Sequence, residues 1–278
     1  DWSSHSSADH YALLSFFGKL DYNYANKYYL SGSFRRDGSS RFHPDNRWGN
    51  FFSVGASWRI SQEGFAEDAE WLDNAVLRAS YGTSGNDKLI PRESNGKAGG
   101  EVLYAYQGLY GAETLFGLAG LKPSTAPTPD LVWEKNKQFN VALDFTIFRD
   151  ITATVEYYNR ESEDLLYYRS IPLSSSMGSI TGMNTNIGTM RNSGFEFTIS
   201  ATALRARDFK WVIDANLSTL KNKVVELPSG DFWWANTVAQ YRMEEGGSLY
   251  DIWAPHTVGV SSETGEMQYT YIKDDGTE

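Results

Sequence analysis

Apolar residues recur at every second position over several long stretches, and a period of two puts them all on one face of an extended strand. The clearest run begins at Phe139. Phe139, Val141, Leu143, Phe145 and Ile147 share one face, while Gln138, Asn140, Asp144 and Thr146 share the other. After a turn at Arg149-Asp150, Ile151, Ala153, Val155 and Tyr157 alternate with Thr152, Thr154, Glu156 and Tyr158, which reads as a hairpin. Phe195 to Ala201 and Trp211 to Leu217 repeat the pattern across a short connection from Leu204 to Asp208.

The N-terminal half alternates less purely, through Phe16 to Tyr22, Leu30 to Phe34, Val54 to Ile60 and Leu77 to Tyr81. The pattern predicts an all-β chain of about eight antiparallel strands, each near the roughly 9 to 11 residues that cross a bilayer at a tilt. Connections after the first, fifth and seventh strands are tight, and those after the second, fourth and sixth are longer. Short turns on one side and long loops on the other are the habit of transmembrane β-barrels. The fourth connection runs from Ser84 to Val132 without strong periodicity, a length that is usually functional. The Ser61 to Asn74 connection is also longer than a minimal turn, and Glu67 to Leu72 within it is expected to form a helical turn.

A membrane helix needs about 20 consecutive apolar residues, and no run here approaches that, so any crossing must be made by strands. With 41% hydrophobic residues, alternation spreads the apolar content instead of concentrating it. The alternative for an alternating chain is a soluble β-sandwich, whose strands bury one face on a second sheet. Against it stand the one-sided loop lengths and the aromatics near strand ends. Tyr22, Tyr24, Tyr28 and Tyr29 flank one turn and Phe209 and Trp211 follow another, as suits the headgroup level.

Other classes find little support. The net charge of -10, with basic residues dispersed, offers nucleic acid no footprint. The absence of cysteine excludes disulfides, thiolate metal sites and a cysteine nucleophile. His5, His10, His43 and His256 are scattered and none pairs at metal-ligand spacing, so neither a metal nor a cofactor is expected. Glu161, Glu163 and Asp164 form a carboxylate cluster whose composition alone would allow a glycosidase pair, but a solvated strand end is the favoured reading; no catalytic residue is assigned. Arg35, Arg36, Asp37 and Arg41 around Gly38-Ser39-Ser40 read as a structured turn whose charges pair locally. Ligand contact is expected in the loops Ser84 to Val132, Ser170 to Met190 and Ser229 to Tyr241. Within the last, Trp233, Trp234 and Tyr241 are the candidate ligand-binding residues, because indoles on a polar loop can stack on sugar faces; insertion at the membrane interface and packing against a lid are the alternatives for the same indoles.

An ordered series of short motifs then resembles one family over most of the chain. It comprises Leu14-Ser15-Phe16-Phe17-Gly18-Lys19-Leu20-Asp21-Tyr22, Arg35-Arg36-Asp37-Gly38-Ser39-Ser40-Arg41-Phe42, Asn46-Arg47-Trp48-Gly49 and Trp58-Arg59-Ile60-Ser61 with Glu63. Leu77-Arg78-Ala79-Ser80-Tyr81-Gly82 with Gly85-Asn86, Leu131-Val132-Trp133-Glu134 and Asn192-Ser193-Gly194-Phe195-Glu196 continue it. The chain resembles the SusC/RagA-type TonB-dependent transporters of Bacteroidetes.

That resemblance implies an antiparallel transmembrane β-barrel segment of the bacterial outer membrane, with loops facing the cell exterior. It implies TonB-dependent import, in which cargo binds between loops and a plug, under a SusD-like surface lipoprotein. The family's plug, TonB-contacting segment and final strands are not seen in residues 1–278, so the chain is expected to be a fragment of the barrel that does not close alone. Lys19, Arg59, Arg78, Asp144, Glu156 and Asp214 are expected to face the lumen, against the plug or the route. The family imports glycans and oligopeptides, and aromatic-rich loops favour oligosaccharides. The competing readings are an oligopeptide importer, a secreted β-sandwich carbohydrate-active enzyme or binding module, and a porin-like barrel without a plug.

Overall fold

The computed structural model describes residues 9–66, 68–89, 102–171, 174, 180, 182–228, 233–235, 241–249, 251–252 and 257–269, with backbone alone at 115, 170, 233–235, 241–243 and 252. It divides into two units, Asp1–Lys221 and Asn222–Glu278.

In the first unit the chain forms β1 (Leu13–Tyr24), β2 (Tyr28–Ser39), β3 (Trp48–Arg59), β4 (Leu72–Asn86), β5 (Tyr110–Leu115), β6 (Leu118–Pro123), β7 (Glu134–Ile147), β8 (Ile151–Ser170), β9 (Gly182–Arg205) and β10 (Lys210–Ser218). One antiparallel sheet runs β1-β2-β3-β4-β7-β8-β9-β10, so each strand of the wall pairs with the next. Register carries the alternation straight across it. Tyr24, Tyr28, Trp58, Leu77, Leu143, Val155, Phe197 and Leu217 form one row from β1 to β10, every member apolar or aromatic. A row three positions along each strand, and so on the other face, reads Asp21, Ser31, Gly55, Ser80, Asn140, Tyr158 and Gly194, small or polar throughout. The sheet therefore has an apolar face and a polar face.

The apolar face is open: Leu20 is 74% exposed and Leu217 65%. A β-sandwich would have covered such residues with its second sheet, and that alternative fails here. From Phe139 to Ile147 the apolar positions span roughly 27 Å along β7 at about 3.4 Å per residue. At a tilt of about 40° that is roughly 20 Å of height, close to the lipid-facing band of a membrane barrel.

Most strands are longer than the expected span. β1 to β3 have 12 residues each, β8 has 20 and β9 has 24. The excess lies at the long-loop end, so Gly182 to Met190, within the expected Ser170 to Met190 loop, is strand. There β8 and β9 carry a kink at the facing residues Asp164 and Gly188, both at φ 54°. The Asn186 side chain braces the kink, donating to the Asp164 and Val132 carbonyls at 2.7 and 3.0 Å and accepting from the Val132 N–H at 2.9 Å.

The Ser84 to Val132 stretch also holds more order than its weak periodicity suggests. β5 and β6 form a hairpin closed at Phe116-Gly117, whose φ angles of 51° and 81° suit a two-residue turn. In the Ser61 to Asn74 connection the helical piece is a 3₁₀ turn at Ile60–Gln62, earlier than the expected Glu67 to Leu72. Glu67 lies outside the described residues. Past that turn, Glu63 Oε1 accepts from the Tyr28 hydroxyl at 2.6 Å and from Trp58 Nε1 at 3.1 Å, with Lys27 Nζ 3.6 Å from its other oxygen.

The Tyr28 and Trp58 hydrogen bonds hold the Glu63 carboxyl below the usual carboxylate range. A lowered folded value makes the clasp stabilising above about pH 4.3, and this contribution is lost as pH falls through the lowered value. Hydrogen exchange of residues 60–66, corrected for intrinsic rate, is expected to be slow at neutral pH and to quicken as pH falls below the ordinary glutamate value of about 4.3.

Beyond β10 the chain doubles back on the sheet. Thr219 N–H donates to the Phe195 carbonyl at 2.8 Å, the Phe195 N–H donates to Thr219 Oγ1 at 2.9 Å, and the Tyr158 hydroxyl donates to the Thr219 carbonyl at 3.1 Å. Gly194 permits this crossing, because a Cβ there would lie 1.9 Å from the Thr219 carbonyl oxygen. Gly194→Ala is expected to cost about 1–3 kcal/mol in urea unfolding of the full-length protein. Gly18→Ala, with nothing within 4 Å of its new methyl, is the near-neutral control.

The chain passes from the first unit to the second within β11 (Lys221–Glu226), and the second unit then holds β12 (Trp233–Ala235), β13 (Tyr241–Met243), β14 (Asp251–Ile252), β15 (Thr257–Val260) and β16 (Met267–Tyr269). β12-β13-β14 form one small sheet and β15-β16 another. Buried Val224 exchanges backbone hydrogen bonds with Gly246 and Gly247 at 2.8 and 2.9 Å.

Candidate functional site

Two regions of the wall bear function-like chemistry: the polar face and the packed long-loop end. On the polar face, Lys19, Arg59, Arg78, Asp144, Glu156 and Asp214 all occupy one side of the sheet by register. Arg78 pairs with Asp144 through Nε and Nη2, and Thr154 donates to Asp144 Oδ1 at 2.8 Å, tying β4, β7 and β8. Lys19 pairs with Asp21 at 2.9 Å, and the Arg59 guanidinium lies 5.9 Å from the Tyr29 ring. Glu156 instead faces Glu196 across the register, a like-charge pair of the kind that weakens a sheet unless something else compensates it. Between these groups Ser53, Gly55, Gly82, Gln138, Asn140 and Arg160 line a shallow concavity of about 720 Å³. The serine and glycines among them leave a low stretch of wall that another polar surface can approach closely.

At the long-loop end the Arg35 to Phe42 motif forms a packed joint. Asp37, Ser39, Arg41 and Phe42 are buried. Asp87, just beyond β4, gathers them: its Oδ2 accepts from the Ser39 hydroxyl at 2.7 Å and the Tyr11 hydroxyl at 2.9 Å, and its Oδ1 lies 3.3 Å from Arg41 Nη1. Arg41 also stacks over the Tyr11 ring at 4.4 Å. Burial, aided by the Asp87 carboxylate, pushes the Tyr11 hydroxyl pKa up. Arg35 donates to Asp37, and Arg36 lies 5.1 Å from the Trp48 ring centre. The motif's charges are used in the joint.

Beneath the joint lies a core of Phe42, Phe51, Leu89, Ala105, Leu131, Trp133 and Leu166. The Trp133 ring meets Phe42 at 5.4 Å and Phe51 at 5.6 Å, and its Nε1 donates to the Arg47 carbonyl at 2.8 Å. Phe51 fits a slot walled by Gly49 and Gly85, where a Cβ would stand 2.5 and 2.1 Å from its ring. Sequence reasoning missed this core. Its members come from several loops and from β3 and β8, and only Phe42, Leu131 and Trp133 fall in the motif series.

The carboxylate cluster is occupied as well. Glu161 pairs with Arg191, Glu163 with Lys137, and Asp164 with Lys135 at 3.7 Å, so a ladder of opposite charges crosses β7, β8 and β9 beyond the apolar band. Among the described residues, no group of His, Asp and Glu could hold a metal ion. The candidate ligand residues Trp233, Trp234 and Tyr241 fall on the adjacent antiparallel strands β12 and β13, with Ala235 opposite Tyr241 and Trp234 opposite Arg242. Their side chains lie outside the described residues, as does part of the loop around them.

A two-faced wall with one packed loop end is shared by many membrane barrels, and comparison with known proteins narrows it. The family described as TonB dependent receptor-like, beta-barrel matches residues 1–274. The chain belongs to this family. Its members are receptors and transporters of the outer membrane rather than enzymes. The receptor segment is 33% identical over 256 residues to TonB-dependent receptor P39 of Formosa agariphila, covering 92% of this chain and 23% of that protein. It is 33% identical over 228 residues to TonB-dependent receptor SusC of Bacteroides thetaiotaomicron, covering 79% and 21%. Among solved structures, the RagAB peptide importer in its closed-closed state superposes with a TM-score of 0.80 at 27% identity, over 96% of this chain and 28% of that one. The segment is thus of SusC/RagA type and spans about a quarter of the length of these relatives. The family accounts for the unclosed sheet: it is part of a larger barrel.

Proposed function

We propose that the parent protein is a TonB-driven importer of large polar nutrients, oligosaccharides first, and that residues 1–278 supply part of its barrel wall and exterior loops. The observation that carries this is the register-aligned division of the sheet into an apolar face and a small, polar face, within a chain of SusC/RagA type. The apolar face meets lipid, and the polar face meets the plug or the cargo route. A fixed wall of small residues suits a plug that must be held and then moved. The long-loop end faces the cell exterior, where a SusD-like lipoprotein closes over it. TonB acts through a part of the protein outside this segment.

Oligosaccharide cargo is supported by the aromatic content of the loops, Trp233, Trp234 and Tyr241 above all. Oligopeptide cargo is the second reading, favoured by the likeness to the RagAB peptide importer. Cells carrying the full-length parent gene as their sole importer of this type separate the two. Outer-membrane recovery, co-purification of a surface lipoprotein and growth on a glycan are expected, with that growth slowed by Trp233→Ala with Trp234→Ala. Growth on oligopeptides alone would transfer the cargo assignment to peptides; a soluble, partner-free parent would overturn the importer.

A further inference from the structure

We propose that the Ile60–Ala66 connection is an interfacial foot, which seats in the phospholipid headgroup layer at the short-turn end with Phe65 as its anchor. The inference rests on the outer-membrane reading of the apolar face and adds a contact outside the strands. The connection departs from the apolar side of the wall. Trp58 and Tyr28 stand directly opposite one another in that face, in the row that continues through Leu77 and Leu143. On a membrane barrel the polar atoms of such girdle residues reach water or headgroups. Here both reach Glu63 Oε1, at 2.6 and 3.1 Å. The chain has therefore folded a carboxylate of its own over the lipid side of the wall, and Lys27 of the neighbouring turn balances it at 3.6 Å.

The residues after the clasp suit a membrane surface. Phe65 meets the Trp58 ring edge-on at 6.5 Å yet remains 73% exposed, while Ala66 beside it is buried. Trp71 and Phe148 at the same end are also more than half exposed. A lone exposed phenylalanine needs no explanation, but one packed on a girdle tryptophan and continuous with a lipid-facing surface extends that surface. A polar turn needed only to join β3 to β4 would require neither the aromatic ring nor the clasp. The occupant that matches is phospholipid, apolar below and zwitterionic above.

The test uses the full-length parent protein in vesicles of phosphatidylethanolamine and phosphatidylglycerol, spin-labelled singly through Phe65→Cys, Val54→Cys or Glu113→Cys. Relaxation by oxygen reports lipid and relaxation by an aqueous nickel chelate reports water. The label at 54, mid-face, is expected to favour oxygen, the label at 113 on the β5-β6 hairpin to favour nickel, and the label at 65 to favour oxygen more weakly than 54. Adding Glu63→Gln is expected to shift the label at 65 toward nickel without moving that at 54. A label at 65 that matches 113 would overturn the foot while 54 upholds the barrel. Shielding of 65 from both reagents would place a protein partner there and overturn it equally. Nickel-dominated relaxation at 54 would defeat the membrane reading itself.

Discussion

Asp87→Ala is expected to open the long-loop joint, lowering its stability by about 3–5 kcal/mol, the cost of breaking a buried ion pair by removing one partner. The Arg41 and Asp87 side chains are only 5% and 13% exposed, so water cannot replace the lost carboxylate at little cost. Ser39 and Tyr11 lose the same acceptor, and the fully buried Ser39 hydroxyl left without one adds to the penalty. The opening should be local. Hydrogen exchange in residues 40–47, 87–89 and 102–133 of the full-length protein is expected to accelerate strongly, while β7 and β8 below Phe139 keep their protection. Asp87→Asn retains an acceptor for Ser39 and Tyr11 and should fall between the two. Unchanged exchange in Asp87→Ala would mean that the joint is held by packing alone.

Trp133→Ala is expected to match it in size, at about 3–5 kcal/mol, for a different reason. Trp133 joins Phe42 and Phe51 in one aromatic cluster, and its indole N–H satisfies the Arg47 carbonyl. Truncation leaves a cavity that the surrounding strand ends cannot collapse to fill. Gly85→Ala attacks the same cluster from the opposite side, by overpacking: its methyl would enter the Phe51 slot, at a cost of about 1–3 kcal/mol. Urea unfolding of the full-length protein, followed by protease sensitivity of the loops, measures both. If the two sites belong to one core, Trp133→Ala with Gly85→Ala is expected to cost less than the sum, since the cavity accommodates the displaced ring.

The wall of this receptor segment was legible because a strand between lipid and a polar interior constrains side chains only by parity. Phe139 to Ile147 could be assigned to one face from spacing alone, and the register keeps them there. The loop core was not legible. Phe42, Leu89, Leu131 and Leu166 come from distant parts of the chain, and no periodicity relates them. The kink at Asp164 and Gly188 was hidden too, because the pairing register is unbroken across it and only the backbone angles change.

Leu14–Tyr22 and Leu77–Gly82 of the motif series run along β1 and β4, while much of the rest falls at telling places in the fold. Arg41, Asn46, Gly49, Glu63, Gly85, Trp133 and Gly194 sit in the joint, the aromatic slot, the clasp and the crossing. Asn46 donates to the Pro129 carbonyl at 3.0 Å, for example, pinning the β2-β3 loop to the segment that enters β7. Strand centres tolerate any residue of the right polarity, whereas these positions each answer to one specific contact. The candidate cargo residues Trp233, Trp234 and Tyr241 show the opposite case. Their chemistry could be read in the sequence, but the small sheet that brings β12 beside β13 could not, since strands of three residues carry no usable period.

Membrane function of this wall requires that its apolar face meet lipid and its polar face not. Single cysteines placed in turn at residues 135–147 of β7 in the full-length protein, each carrying a fluorophore and reconstituted with quencher-bearing lipids, test this directly. Strong quenching is expected at 139, 141, 143, 145 and 147, weak quenching at the even positions, and an abrupt loss at Lys137, where the ion-pair ladder begins. Quenching without alternation, or none at the odd positions, would contradict a lipid-facing wall.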